Sequence, residues 1–140
     1  MIVDTSVLLA FFHPQDQQHE MVSTFLEQLL DQTHEPLVVS PYVIAELDYL
    51  VMTRTGVRNE LMAIRALLEP AWEIAKVTDA QLGQATDLIE RYKDERIGLT
   101  DAVNIVLASA YHTNKIATLD RRHFSILRLL DGSPVEILPE

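Results

Sequence analysis

The sequence predicts an α/β fold, a three-layer α/β/α sandwich built around a mainly parallel sheet. Short β-rich runs alternate along the chain with longer stretches of helical periodicity. Those runs are too short and too apolar for a sheet with one wet face, so both faces need a covering layer. The length of 140 residues is that of one domain, and no linker, repeat or low-complexity tract divides it.

The elements follow in order. Met1–Val3 reads as a buried strand and Thr5–Phe12 as the helix leaving it. Asp16–Gln32 carries helical spacing and leads to a strand at Leu37–Val39. Ser40 and Pro41 then supply an N-cap and a proline at the first helical position, opening a helix over Pro41–Thr53. Val57–Leu68 continues the helical pattern, and Trp72–Lys76 reads as the next strand. Thr78 and Gln81 have capping-box spacing at the start of a helix over Asp79–Tyr92. Thr100 is the expected cap of a further helix, Thr100–Tyr111. Strands at Lys115–Leu119 and Val135–Leu138 complete the sheet.

Composition narrows the function classes. The chain has no cysteine, which excludes a disulfide scaffold and thiolate metal sites and fits a reducing cytosol. No apolar run reaches the roughly 18 residues of a membrane span, and no basic segment precedes an apolar one at the N-terminus. A cytoplasmic protein without membrane attachment is expected. The balance of 11 basic against 21 acidic residues gives a net charge of -10. That disfavours nucleic acid as a partner, unless carboxylates hold a divalent cation that itself binds phosphate.

The acids fall at telling places. In parallel α/β folds, ligands occupy the crevice beyond the carboxyl ends of the strands. Asp4 directly follows the first strand, Asp120 follows the strand KIATL, and Asp101 opens a helix. Glu46 lies within PYVIAELDYLVM, apolar on nearly every side. Each has an ordinary reading: Asp4 as a helix cap, Asp101 as a complement to the helix dipole, Asp120 as a turn residue. Asp48 is as apolar in its surroundings as Glu46, so helical geometry does not choose between them. Taken together, carboxylates converging on one crevice repel one another unless a cation neutralises them. Oxygen donors without cysteine or a histidine pair at zinc spacing suit Mg²⁺ or Mn²⁺. The five histidines, His13, His19, His34, His112 and His123, are scattered and read as surface or core residues. A metal in such a site activates water for in-line attack at phosphorus, so the chemistry suggested is phosphodiester hydrolysis.

Four segments, IVDTSVLLAFF, VVSPYVIAELDYLV, YKDERIGLTDAVNIVLA and IATLDRRHF, resemble in order and spacing the PIN-domain ribonucleases. The resemblance is strongest to the VapC-type toxins of bacterial toxin–antitoxin pairs and covers nearly the whole chain. It implies a catalytic and metal-binding set of Asp4, Glu46, Asp101 and Asp120, and it selects Glu46 over Asp48. Ser6 matches a small polar residue beside the first acid, holding that carboxylate or a metal-bound water. Asp94 stands where many relatives carry another acid, as an accessory or a turn-capping residue. Asn104, one turn beyond Asp101, either orients that acid or satisfies backbone groups.

What the resemblance implies is a Mg²⁺-dependent endoribonuclease, with Mn²⁺ able to substitute. It also implies a homodimer, inhibition by a VapB-type antitoxin, and a larger hetero-oligomer with it. Structured RNA such as a tRNA or rRNA stem-loop is the implied substrate. SPYVIAELDYLV and LDRRHF look most like members that cut the sarcin–ricin loop of large-subunit rRNA. Positive charge for the RNA phosphates is expected from a rim of Lys93, Arg96, Arg121, Arg122 and His123, although Arg121 and Arg122 could equally compensate the acids or face solvent. The apolar faces around Val43–Met52 and Val57–Leu68 are the expected dimer surface or simply core. Two other Asp-after-strand chemistries are disfavoured: haloacid-dehalogenase phosphatases need a second Asp where Ser6 stands, and receiver domains need an acidic pair near the first strand. A catalytically silent PIN fold that only binds RNA or protein is the alternative reading.

Overall fold

The computed structural model describes residues 1–140. Its sheet has five strands, β1 (Ile2–Val3), β2 (Leu37–Val39), β3 (Trp72–Ile74), β4 (Lys115–Ala117) and β5 (Glu136–Leu138), in the order β3-β2-β1-β4-β5. Every pairing is parallel, with Ile2 opposite both Val38 and Ile116. Parallel neighbours need crossovers, and helices supply most of them. They are α1 (Thr5–Phe12), α2 (His19–Gln32), α3 (Pro41–Thr55), α4 (Val57–Leu67), α5 (Asp79–Arg91), α6 (Leu99–Ala110) and the single turn α7 (Arg121–Phe124).

The strands sort their side chains with a period of two, which builds two cores. Val3, Leu37, Val39 and Ala117 face one layer, where α1, α2, α3 and α4 supply Leu8, Leu26, Leu47 and Leu67. Ile2, Val38 and Ile116 face the other, packed by Leu88 of α5, Ile105 and Leu107 of α6, and Phe124 of α7. These two cores make the three layers.

Local chemistry starts the helices. The Ser40 hydroxyl accepts from Tyr42 N–H ahead of Pro41, and Thr78 and Gln81 form a complete capping box on α5. Gly56 joins α3 to α4 at a φ of 93°, a left-handed conformation that a β-carbon disfavours. Thr100 departs from expectation. The helix begins at Leu99 with Gly98 as its N-cap, so Thr100 lies inside the first turn and its hydroxyl is free to bond elsewhere. The chain winds outward from β1 through β2 to β3, then returns to place β4 on the other side of β1. The strand order therefore reverses between β1 and β4, where the crevice of a parallel sheet opens.

Candidate active site at the carboxyl edge of the sheet

Asp4 sits at the end of β1, held by its N–H donating to the Ala117 carbonyl at 2.9 Å. It occupies the N-cap position of α1, yet its carboxylate makes no capping bond. Three side chains claim it instead. Thr118 Oγ1 donates to Oδ2 at 2.8 Å, Ser6 Oγ donates to Oδ2 at 3.1 Å, and Asn104 Nδ2 donates to Oδ1 at 3.1 Å. A carboxylate offers about four lone-pair positions. Both on Oδ2 are taken. Asp4 is only 5 % exposed, and burial raises its pKa against the pull of those donors, Thr118 foremost, with Glu46 raising it further.

The polar contacts continue across the strand ends. Ser6 Oγ accepts from Leu119 N–H at 2.9 Å, and Thr118 Oγ1 accepts from Asp120 N–H at 3.0 Å. Each hydroxyl thus takes a backbone proton from β4's exit and passes its own to Asp4. Asp4, Ser6, Glu46, Asp101 and Asp120 line one cleft of about 350 Å³. Glu46 is exposed rather than buried, because α3 buries Val43, Leu47 and Val51 and turns Glu46 to the cleft rim. There Thr100 Oγ1 donates to Glu46 Oε2 at 3.2 Å, the bond its place inside the helix leaves it free to make. Asp48 does not line the cleft; it faces Glu60 of α4.

Asp101, in the first turn of α6, is pushed up to about 6, first by burial and then by the negative charge of Asp4, with Asp120 adding to it and His123 opposing. His123 Nδ1 lies 3.1 Å from Asp101 Oδ2 and 3.2 Å from Asp120 Oδ2, and its N–H donates to Asp120 Oδ1 at 3.3 Å. Asp101, Asp120 and His123 each offer a ligand atom, all within 4.8 Å of one another. The donors are hard oxygens with one imidazole beside them, repelling one another in a partly dry cleft, and a divalent cation fits that need. Thr5 supports the fit: its Oγ1 is buried without a partner on the wall of the same cleft.

Several expectations change. Asn104 serves Asp4, not Asp101: α6 packs over β1, which brings the wholly buried amide to the strand end. His123 stands between two acids rather than at an outer rim, because the single turn α7 carries it back over the cleft. Asp94, Lys93 and Arg96 are exposed in and after a 3₁₀ turn (Lys93–Glu95) and do not line the cleft; Ile97 is the buried anchor of that segment. Arg121 Nη2 donates to the Pro139 carbonyl at 2.6 Å, and Arg122 is exposed. Thr118 escaped sequence reading. Its one signal was its position, a hydroxyl immediately after β4 at the same edge as Asp4.

A family model described as PIN domain matches residues 1–128. The chain is 49 % identical over 139 residues to Ribonuclease VapC26 of Mycobacterium tuberculosis, covering 99 % of this chain and 100 % of that protein. Its fold is similar to the crystal structure of Mycobacterium tuberculosis VapC20, a sarcin–ricin loop cleaving toxin. The TM-score there is 0.75, with 21 % identity over 86 % of this chain and 90 % of the other. VapBC2 from Rickettsia felis, bound to a promoter DNA fragment, is similar at a TM-score of 0.73 and 16 % identity, covering 99 % of this chain and 98 % of that one.

Proposed function

The chain belongs to the PIN domain family, in its VapC-type branch, and on that premise we propose that it is a metal-dependent endoribonuclease toxin restrained by a VapB-type antitoxin. The observation that carries the proposal is the meeting of Asp4, Glu46, Asp101 and Asp120 in one cleft at the reversal of strand order. Asp101 and Asp120, whose ligand atoms lie close together, are the residues to hold Mg²⁺ or Mn²⁺, with Asp4 and Glu46 of the same cleft completing the set. The ion supplies Lewis-acid activation of water and neutralises charge on the scissile phosphate.

The protein's own groups do the positioning. Ser6, Thr118 and Asn104 fix the Asp4 carboxylate, so it is oriented before any ligand arrives. Asp101, pushed up to about 6 by burial and the Asp4 charge, is ionised at neutral pH and so is available to the cation. His123 bridges Asp101 and Asp120 and holds their separation. The substrate class is structured RNA, of the tRNA or rRNA stem-loop kind. The full-length relative is a ribonuclease, which supports this, and VapC20 is described as cutting the sarcin–ricin loop.

The antitoxin complex VapBC2 supports a protein partner of the same type here. Tyr49, Met52, Val57 and Leu61 are exposed on α3 and α4 and supply the apolar face for a homodimer. The test is cleavage of total cellular RNA by purified protein with Mg²⁺ or Mn²⁺, with EDTA, and with Asp4→Asn. Cleavage that needs the metal and vanishes in the variant is expected. Undiminished cutting by folded Asp4→Asn sinks the site, and RNA binding without any cutting assigns a silent binding module instead.

A further inference from the structure

We propose that the groove between α1 and α3 leads from the acidic cleft to a second, cationic subsite. That subsite holds RNA backbone phosphates through Arg54 and Arg58, beside His13. It rests on the nuclease reading above and adds to it where the strand runs. On α1, Thr5 and Leu9 line the cleft, and His13, just past the end of that helix, lines a second cavity of about 370 Å³. On α3, Glu46 and Leu50 line the cleft, and Arg54, four residues beyond, lines that second cavity. On α3 a spacing of four keeps Glu46, Leu50 and Arg54 on one helix face, so that wall points from one cavity to the other. Eight residues of helix span about 12 Å, the reach of a short run of nucleotides.

A third cavity, of about 560 Å³, contains Arg58 and Arg65 and shares Thr55 and Asn59 with the second. Asn59 Nδ2 donates to the Phe12 carbonyl at 2.8 Å and to Thr55 Oγ1 at 2.9 Å, pinning α4 to the end of α1 beneath these cations. In a chain of net charge -10, no lysine or arginine forms an ion pair; the only two belong to His123. Arg54, Arg58 and Arg65 are therefore free. Asp48 and Glu60, the nearby acids of α3 and α4, face each other and line neither cavity. His13 Nδ1 is buried with no hydrogen-bond partner. Guanidinium forks at the end of a track from a phosphodiester site match phosphate oxygens. Of the expected rim, Arg121 is engaged with the Pro139 carbonyl, Lys93 and Arg96 do not line the cleft, and Arg122 is exposed, next in sequence to His123, which does line it.

The experiment is binding of labelled bulk tRNA to full-length protein in Ca²⁺ across a salt series, alongside cleavage of total RNA in Mg²⁺. Wild type is compared with Arg54→Gln/Arg58→Gln and Arg54→Lys/Arg58→Lys, each checked for an unchanged melting temperature. The Gln pair is expected to weaken binding about tenfold or more and to flatten the salt slope by about 2, one for each phosphate no longer neutralised. KM should rise with little change in kcat, and the Lys pair should restore much of the slope. A Gln pair that keeps both affinity and slope while wild type cuts RNA overturns the subsite alone. Wild type that cuts no RNA overturns the nuclease reading and the subsite together. Binding of labelled polyglutamate is measured alongside: its loss in the Gln pair with RNA binding intact assigns the groove to an acidic protein partner and overturns the subsite as well.

Discussion

Asp101 and Thr118 show how single side chains set the behaviour of the cleft. With its pKa at about 6, Asp101 keeps a proton in the folded protein between about pH 4 and 6, where an unfolded carboxyl has lost it. The folded state then binds more protons than the unfolded one. Stability contributed by this group therefore falls as pH rises through that window, and Asp4, also raised, acts in the same direction. Metal binding needs the ionised forms. Mn²⁺ affinity measured by calorimetry should thus climb about tenfold per pH unit below about pH 6 and level off above it. Affinity that is flat across this range would contradict the site, and Asp101→Asn should remove this proton-linked step. Thr118→Val tests the network around Asp4. It keeps the shape but takes a 2.8 Å bond from Asp4 and the acceptor from Asp120 N–H, at a cost of about 1–3 kcal/mol in urea denaturation. Asp4, Asp101 and Asp120 were conspicuous as carboxylates at strand and helix ends, whereas Glu46 was separated from Asp48 only by the family resemblance. Their partners were not legible. Asn104 meets Asp4 across 100 residues and Thr118 across 114, and helical spacing carries no information at that range.

At the level of elements, the long apolar patterns were readable and the short polar ones were not. Strands β1 and β2 and helix α1 lie within a residue of their expected bounds, since burial leaves a nearly continuous apolar run, and α5 does so because its capping box marks the start. β3 stops at Ile74 instead of Lys76 because it is an edge strand with exposed residues, where pairing ends before apolar character does. The single turn α7 has four residues, Arg-Arg-His-Phe, too few to show a period. Yet it delivers His123 to the cleft, so a contact with two of its acids was hidden in the least regular element. Two helix caps can be compared by experiment. Ser40 caps α3, which carries Glu46, whereas Thr78 caps α5, which contributes no residue to the cleft. Replacing either by Ala should cost about 1 kcal/mol in thermal or urea unfolding. Only Ser40→Ala should also weaken Mn²⁺ binding, by loosening the first turns that aim Glu46; equal effects of both variants on metal affinity would refute that link.

Across the whole molecule, topology and charge act together. The order β3-β2-β1-β4-β5 brings two strand exits side by side, and that adjacency concentrates acids contributed by distant parts of the chain. The fold class was readable from the alternation of elements, but the strand order needed the structure, because parallel strands give no local sign of their neighbours. A net charge of -10 and the lack of any Lys or Arg ion pair leave the folded chain repelling itself. Two stabilising effects of salt should therefore separate. Raising KCl should lift the melting temperature gradually by screening that repulsion, with no saturation at low concentration. Mg²⁺ added at constant ionic strength should lift it further and saturate, following RT ln(1 + [L]/Kd) for binding to the native state alone. At about 100 times Kd that increment is about 2.7 kcal/mol. In Asp101→Asn the KCl response should remain while the Mg²⁺ increment shrinks, since one charge of the cluster is gone and the bulk of the negative surface is not. If Mg²⁺ stabilised wild type and Asp101→Asn equally, the ion would be acting on the general charge, and the acidic cleft would lose its standing as the metal centre.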